Sequence, residues 1–355
     1  MNKEIKIGNY SIGRHHPPFI VAEMSGNHNQ SLERALKIVE AAAQAGVHAI
    51  KLQTYTADTL TIDMNEGAFH INDSNNLWNG ETLYSLYQKA YTPWEWHGPI
   101  FEHAQKLGLI AFSSPFDETA VDFLEKLNTP AYKIASFENN HLPLIRKAAS
   151  TGKPLIISTG MATVEELQEA VQTARQAGCK NIILLKCTST YPATSQDTNL
   201  ATIPPLRELF DVEIGLSDHT LGLGVAAASV AFGAVFIEKH FTLSRNDGGV
   251  DAAFSMEPQE MKLLVEETQK AWQAIGTVHY GPTDSERNSL KFRRSIYAIK
   301  DIAEGEIFTE KNLRIIRPGN GLHPRHYESL LNKKSPYAIK KGTPITGDIV
   351  EALFK

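Results

Sequence analysis

Along residues 19–276, short apolar or β-branched runs alternate with segments of helical period, the pattern of a parallel α/β fold and not of a sandwich. Eight runs read as strands: FIVAEM (19–24), AIKLQT (49–54), IAFSSP (110–115), AYKIAS (131–136), PLIISTG (154–160), NIILLKCTS (181–189), EIGLSDHT (213–220) and VFIEKHFTL (235–243). The helices between them have legible ends. Leu32, Ala35, Leu36 and Val39 recur at i, i+3, i+4, i+7 behind a Ser31 cap, and Gly46 stops the run. Thr163 and Glu166 have capping-box spacing, Val164, Leu167, Val171 and Ala174 form the apolar face, and Gly178 ends it. In EPQEMKLLVEETQKAWQAIG (257–276), Met261, Leu264, Val265, Thr268 and Trp272 share the inward face. Eight β/α units over about 260 residues predict a (β/α)8 TIM barrel. An open, doubly wound sheet has the same periodicity and stays as the alternative.

The flanks read differently. Residues 1–18 predict a hairpin turning at Gly8–Asn9, placed to plug the bottom of the barrel. Residues 60–92 are too long for a plain βα loop, and Trp78, Tyr84 and Tyr87 amid Asn and Gly suggest a lid over the top face. A barrel domain of 19–276 is then followed by a polar linker at 277–284. A small domain of short strands and Gly turns occupies 285–355.

Composition narrows the function classes. With 355 residues, 42% hydrophobic, 21% charged and a net charge of −5, the chain has no bias toward nucleic acid or an acidic membrane surface. Two cysteines, Cys179 and Cys187, make a disulfide framework improbable, and Cys187 reads as a small apolar filler. MNKEIKIGNY lacks the apolar core of a signal peptide and no run could span a bilayer, so a cytoplasmic protein is expected.

The chemistry collects at the strand ends, where a TIM barrel builds its site. In order these carry Glu23, Lys51 and Gln53, Ser113 and Ser114, Lys133 and Ser136, Ser158 and Thr159, Lys186 to Ser189, Ser217 to His219, and Glu238 to His240. Any one Ser or Thr there is explained by a helix cap, but polar endings on all eight strands are not. Several lysines interspersed with hydroxyls predict a phosphate or carboxylate ligand, without which many charges would stand unpaired. A lysine Schiff base remains the competing reading, with Lys186 and Lys239 free to snorkel on the helix side. His219 and His240 close adjacent strands and could ligate one divalent metal, although two imidazoles alone are a weak signature. Alternation in IGLSDHT puts Ser217 and His219 on one face and Asp218 on the other, as a support or cap.

At this point AEMSGNH (22–28), KLQTY (51–55), YKIAS (132–136), STGMA (158–162), GLSDHT (215–220), EKHF (238–241) and RPGNG (317–321) resemble, in order, the sialic acid synthase family of nonulosonate synthases. Within it, YTADTLTID (55–63), TPWEWH (92–97), FSSPF (112–116), IASFE (134–138) and LKCTSTYP (185–192) look like the pseudaminic acid synthase branch. N-acetylneuraminate and legionaminic acid synthases are the alternatives. The resemblance implies a TIM barrel with a C-terminal antifreeze-like (SAF, β-clip) domain, in a homodimer whose small domains reach the partner's active site. It implies condensation of phosphoenolpyruvate with 2,4-diacetamido-2,4,6-trideoxy-L-altrose. The products are phosphate and a nine-carbon 2-keto acid used on flagellins and surface glycans.

Carried over by motif, His219 and His240 match the metal ligands, for Mn2+ or Mg2+, and Glu23 matches a proton-transfer carboxylate. Lys51, Ser114, Lys133, Ser136, Ser158 and Ser217 match phosphoenolpyruvate-binding positions. Gln53, Ser189, Tyr191 and Asp251 fall on the sugar side, and Arg317 matches the arginine that enters the neighbouring subunit. Asp251, in GGVDAAFSM (248–256), fits the N-acetylneuraminate synthases better, and on its own it reads equally well as a solvated loop charge. A carbohydrate-binding module on an inactive barrel is the non-enzymatic alternative.

Overall fold

The computed structural model describes residues 4–74 and 77–353, so the outermost ends of the predicted hairpin and small domain, and two positions of the predicted lid, lie outside the described residues. Two strands, β1 (Ile5–Ile7) and β2 (Tyr10–Ile12), pair antiparallel. Eight parallel strands follow: β3 (Phe19–Glu23), β4 (Ala49–Thr54), β5 (Ile110–Pro115), β6 (Tyr132–Ile134), β7 (Leu155–Ser158), β8 (Ile182–Cys187), β9 (Glu213–Asp218) and β10 (Phe236–His240). They close into a barrel in which β10 pairs with both β9 and β3, which removes the open-sheet alternative. All eight predicted runs form strands, mostly shortened. Strand β6 stops early because Ser136 opens a 3-10 turn, Ser136–Glu138.

The helices follow their caps. Ser31 accepts from the Arg34 amide and Gly46 adopts φ 83° at the end of helix Leu32–Ala45, whose buried face also includes Ile38. Thr163 and Glu166 complete their capping box ahead of helix Val164–Gln176. Val164 itself is exposed, because a residue one step beyond the cap faces outward here. Helix Pro258–Ile275 buries Met261, Leu264 and Thr268, with Val265 and Trp272 packed partly against the same cluster.

The hairpin closes the barrel floor. Ile5, Ile7 and Ile12 pack with Phe19, Val21, Ala49, Phe112, Ile156, Ile183 and Phe236 from the barrel interior. Gly8 turns at φ 58°, where a Cβ would stand 2.7 Å from Ile110 Cδ1. With an apolar floor, polar groups in the interior are confined to the opposite mouth.

Two compact units divide at Gly276 and Thr277. The second is built around β11 (Ser295–Ala298) paired antiparallel with β12 (Leu313–Ile316), over a core of Ile296, Ile302, Phe308, Leu313, Leu330, Ile339 and Ile345. Among the described residues no helix is long and apolar enough to cross a membrane.

Gly215, in β9, leaves no room for a side chain in the barrel wall. A Cβ there would lie 2.3 Å from the Phe236 carbonyl oxygen and 2.6 Å from Leu185 Cδ2. Backbone cannot move aside as a flexible side chain can, so Gly215→Ala is expected to cost about 3 kcal/mol by overpacking. Thermal denaturation of the purified variant checks this, and an unchanged midpoint would contradict it.

Candidate active site

Strand alternation builds the mouth. In β9 and β10, Ile214, Leu216 and Ile237 pack into the helix layer, while Ser217, Glu238 and His240 turn into the barrel. Register then sets neighbours side by side: Ser217 opposite Glu238, His240 opposite Glu23, and Glu23 opposite Lys51.

At the centre lie four charged side chains, all buried. Lys51 Nζ is 2.6 Å from Glu23 Oε2 and 3.6 Å from Glu238 Oε1, and Lys133 Nζ is 3.5 Å from the same Glu238 oxygen. Gln53 donates to Glu23 Oε1 at 3.1 Å, Lys51 to Ser114 Oγ at 3.3 Å and Ser217 to Glu238 Oε1 at 3.3 Å. The lysines are therefore already compensated by two carboxylates, which corrects the expectation that they stand unpaired until a ligand arrives. Glu238 was named among the strand-end groups, but its role as partner of both lysines was missed in the sequence, although its alternation with His240 in EKHF was available as a signal. Burial raises the Glu23 carboxyl above the usual range, against the pull of Lys51. Burial also pushes Glu238 up, but Lys133 and Lys51 together outweigh it and hold Glu238 low. Two carboxyls with divergent proton affinities in one pocket are the arrangement of an acid/base pair.

Burial lowers Lys133, only partly offset by Glu238, whereas for Lys51 the opposing carboxylates outweigh burial and raise it. The other lysines face elsewhere. Lys186 donates to the Cys187 carbonyl at 3.0 Å. Lys239 does not snorkel: it is 1% exposed, turned outward, and bonds Asp218 Oδ2 at 2.9 Å together with the carbonyls of Thr220 and Gly222. Asp218 Oδ1 accepts from the amide and hydroxyl of Thr220, a supporting contact outside the mouth.

A ring of hydroxyls flanks the charges. Ser136 Oγ accepts from the Gly160 amide at 3.2 Å, and a Cβ on Gly160 would collide with Ser136 Oγ and Ser189 Oγ, so glycine lets both hydroxyls approach. Cys187 Sγ lies 3.6 Å from Ser189 Oγ and 3.8 Å from His219 Nδ1. Its surroundings are polar, not the apolar packing expected for it. Among the described residues, Ser158 Oγ, Glu238 Oε2, Glu138 Oε2 and His240 Nδ1 are buried and find no hydrogen-bond partner. Such orphaned groups concentrated in one mouth point to a polar ligand. Glu138, a residue missed in the sequence, is raised to about 7 by burial.

The rings of His219 and His240 are 5.3 Å apart, with Tyr191 4.5 Å from His219 and Phe254 5.0 Å from His240. His219 Nδ1 bonds the Thr188 carbonyl at 2.9 Å, which orients the ring and leaves Nε2 as its remaining ligating atom. Burial, with the neighbouring positive charges, keeps His240 neutral far below its ordinary range. Both features fit a divalent cation. Among the described residues no group of three or more His, Cys, Asp or Glu is spaced to hold one, so the protein's contribution would rest on the imidazole pair.

Asp251 is buried, not a solvated loop charge. It accepts from Ser25 Oγ, and its Oδ2 is 3.8 Å from His240 Nδ1. Trp78, from the predicted lid, donates to the Val250 carbonyl at 3.0 Å and faces Tyr191 at 6.2 Å between ring centres. Barrel residues Glu23, Lys51, Gln53, Ser114, Lys133, Ser136, Ser158, Ser189, Tyr191, Ser217, His219, His240 and Asp251 all lie on this mouth or the loops that follow it. Arg317 belongs to the second unit, where it is exposed at the end of β12.

Comparison with known proteins gives a consistent picture. The family model described as the NeuB family matches residues 38–280, and that of the SAF domain matches residues 293–351. A pseudaminic acid synthase of Campylobacter jejuni is 45% identical over 95% of this chain and 97% of its own. Another, of Helicobacter pylori, is 45% identical over 94% of this chain and 98% of its own. The crystal structure of an N-acetylneuraminic acid synthetase from Leptospira borgpetersenii in complex with citrate superposes with TM-score 0.73 at 32% identity, covering 82% of this chain and 97% of that one.

Two predictions come from the packing behind the mouth. Breaking the buried pair by Lys239→Met leaves Asp218 uncompensated and should cost about 3–5 kcal/mol, whereas Lys239→Met with Asp218→Asn should recover much of that loss. Denaturant titration of both variants checks it; equal losses would contradict it. His28, bonded to Thr92, and His97, bonded to Thr54, are each lowered to about 4, chiefly by burial. The unfolded chain takes up these protons near pH 6.5 while the folded chain resists until about 4, so stability is full above the first value and falls between the two. Over that window each should remove up to about 3 kcal/mol, and His97→Gln should flatten the fall in a pH series of unfolding midpoints.

Proposed function

This chain belongs to the NeuB family, and from that premise we propose that it is a pseudaminic acid synthase. It condenses phosphoenolpyruvate with 2,4-diacetamido-2,4,6-trideoxy-L-altrose and releases phosphate. The observation that carries the chemistry is the buried set of Glu23, Lys51, Glu238 and Lys133 ringed by hydroxyls, in a mouth that also holds the imidazoles of His219 and His240. The 45% identity to pseudaminic acid synthases over nearly the full length supports the choice of sugar.

In this reading Lys51 and Lys133, with Ser114, Ser136, Ser158 and Ser217, bind the carboxylate and phosphate of phosphoenolpyruvate as point charges and directional donors. The bound enol presents C3 to the aldehyde carbon of the sugar. A C–C bond forms there, the aldehyde oxygen gains a proton to become a hydroxyl, water adds at C2, and the bond from C2 to the phosphate oxygen breaks. Glu23, whose carboxyl is raised by burial, is placed to exchange a proton with the added water or the new hydroxyl. Glu238, held low by two lysines, offsets part of the burial that lowers Lys133 and, with Glu23, raises Lys51. His219 and His240 would hold a divalent cation, Mn2+ or Mg2+, which when bound supplies Lewis-acid polarisation of the aldehyde oxygen. Gln53, Ser189, Tyr191 and Asp251 lie where they can orient the sugar.

Homodimerisation belongs to the same proposal, with Arg317 entering the partner's mouth. Phe137, Met161 and Leu221, on loops that follow barrel strands, are 58%, 63% and 63% exposed and offer an apolar rim for a second copy. Residues 277–355 carry fourteen Lys and Arg against nine Asp and Glu in a chain that is acidic as a whole, which supports attraction between the small unit and another copy's barrel.

A paired phosphate-release assay tests the function. Phosphoenolpyruvate with the altrose-derived sugar should release phosphate, while N-acetylmannosamine should yield hardly any. Chelation should abolish the release and added Mn2+ restore it, and His240→Ala should lose both turnover and Mn2+ binding measured by electron paramagnetic resonance. Preference for N-acetylmannosamine would overturn the sugar assignment, and borohydride trapping of pyruvate that survives chelation would favour a Schiff-base enzyme.

A further inference from the structure

Of the motif AEMSGNH, the chemistry above uses only Glu23. The turn that follows nevertheless carries three left-handed residues within six positions. Ser25, Asn29 and Gln30 adopt φ of 49°, 50° and 53°, in the left-handed region that residues with a Cβ seldom occupy. Asn tolerates it through its short polar side chain, but serine gains no such relief, and a buried left-handed serine persists only where its surroundings over-determine it.

The surroundings do so. Asn27 Nδ2 bonds the Phe241 carbonyl and Ser255 Oγ, both at 2.9 Å, so the turn is fixed to the chain leaving β10. Gln30 Nε2 bonds the carbonyls of Lys89 at 3.0 Å and Tyr91 at 2.8 Å, at the end of the helix Leu83–Ala90. Gly26 approaches Val250 so closely that a Cβ would stand 2.6 Å from its Cγ2. Held on both sides, the turn has one hydroxyl pointing at the mouth, that of Ser25, and its acceptor is Asp251.

Glycine would satisfy φ 49° at no steric cost, and the chain places one at the very next position. What serine adds at 25 is a donor to a buried carboxylate that lies 3.8 Å from His240. We propose that Ser25 is a positioning residue for the sugar: its left-handed backbone aims the hydroxyl that fixes the Asp251 carboxylate against the His240 side of the mouth. The inference rests on the reading of Asp251 as a sugar contact. Under it, backbone strain and side-chain function at one residue are separable, because alanine removes the hydroxyl and keeps the strain whereas glycine removes both.

The test compares Ser25→Ala and Ser25→Gly in the full-length protein, with steady-state kinetics for each substrate and thermal denaturation. Loss of one positioned hydrogen bond should raise the sugar KM about tenfold in both variants and leave the phosphoenolpyruvate KM unchanged. Relief of the left-handed strain should place the melting midpoint of Ser25→Gly about 2–4 °C above that of Ser25→Ala. A sugar KM that returns to the parent value in Ser25→Gly, tracking the recovered stability, would show that only the backbone matters and sink the proposal. So would a phosphoenolpyruvate KM that rises in step with the sugar's. If the parent protein turns over N-acetylmannosamine and not the diacetamido sugar, the sugar assignment fails, and the same comparison made with N-acetylmannosamine still decides the role of Ser25.

Discussion

Four ionisable side chains buried in one barrel mouth impose the constraint on which the rest of the site depends. Moving a single carboxylate or ammonium from water into such a space costs several kcal/mol even after relaxation, so the set is tolerable only because two carboxylates face two lysines within hydrogen-bonding or near-contact distance. Each member comes from a different strand: β3, β4, β6 and β10. Closure of the barrel is therefore an electrostatic requirement as well as a topological one, since removing any of these four strands would leave a buried charge uncompensated. An arriving dianionic or trianionic substrate meets lysines whose positions are fixed but whose carboxylate partners can be replaced, which is a preorganised and exchangeable environment.

Strands β9 and β10 solve a second problem with the same alternation. Ser217, Glu238 and His240 turn inward while Asp218 and Lys239 turn outward, so the chain carries two independent polar systems back to back across a single sheet. The outer pair anchors the carbonyls of Thr220 and Gly222 and so shapes the segment just after His219. Neighbouring residues can then be assigned opposite purposes without competing for partners.

Much of this was legible in the chain. The eight strands, the caps at Ser31 and Thr163, and the inward pairing of Ser217 with His219 all follow from periodicity, because period two and period 3.6 are local properties. Barrel closure was expected from the count of eight β/α units and from the family resemblance, and not from periodicity, which is silent on which edge strands meet. Charge balance was not legible: Glu238 reaches Lys51 and Lys133 across distances in sequence that no local pattern encodes, and the lysines alone looked uncompensated. The burial of Asp251 escaped for the same reason, since its Gly-rich surroundings read as solvent-facing, while the contact that buries it comes from Ser25 at the other end of the barrel chain. The family motifs supplied residue types in order, and only the folded geometry shows which of them share a hydrogen bond.

The barrel floor has a consequence for biogenesis. The hairpin β1–β2 and strand β3 are made before the rest of the barrel, yet the apolar layer they complete includes Phe236, and the edge of β3 not paired to β4 meets β10, the last strand of the barrel. During vectorial synthesis Ile5, Ile7, Ile12 and Phe19 must therefore wait, unburied on one side, until nearly the whole first unit has left the ribosome. A nascent chain with an apolar hairpin and an unpaired parallel edge is a natural client for chaperone capture. The slow event in its maturation is expected to be this final stitching of β10 to β3, a contact between the two ends of the barrel sequence.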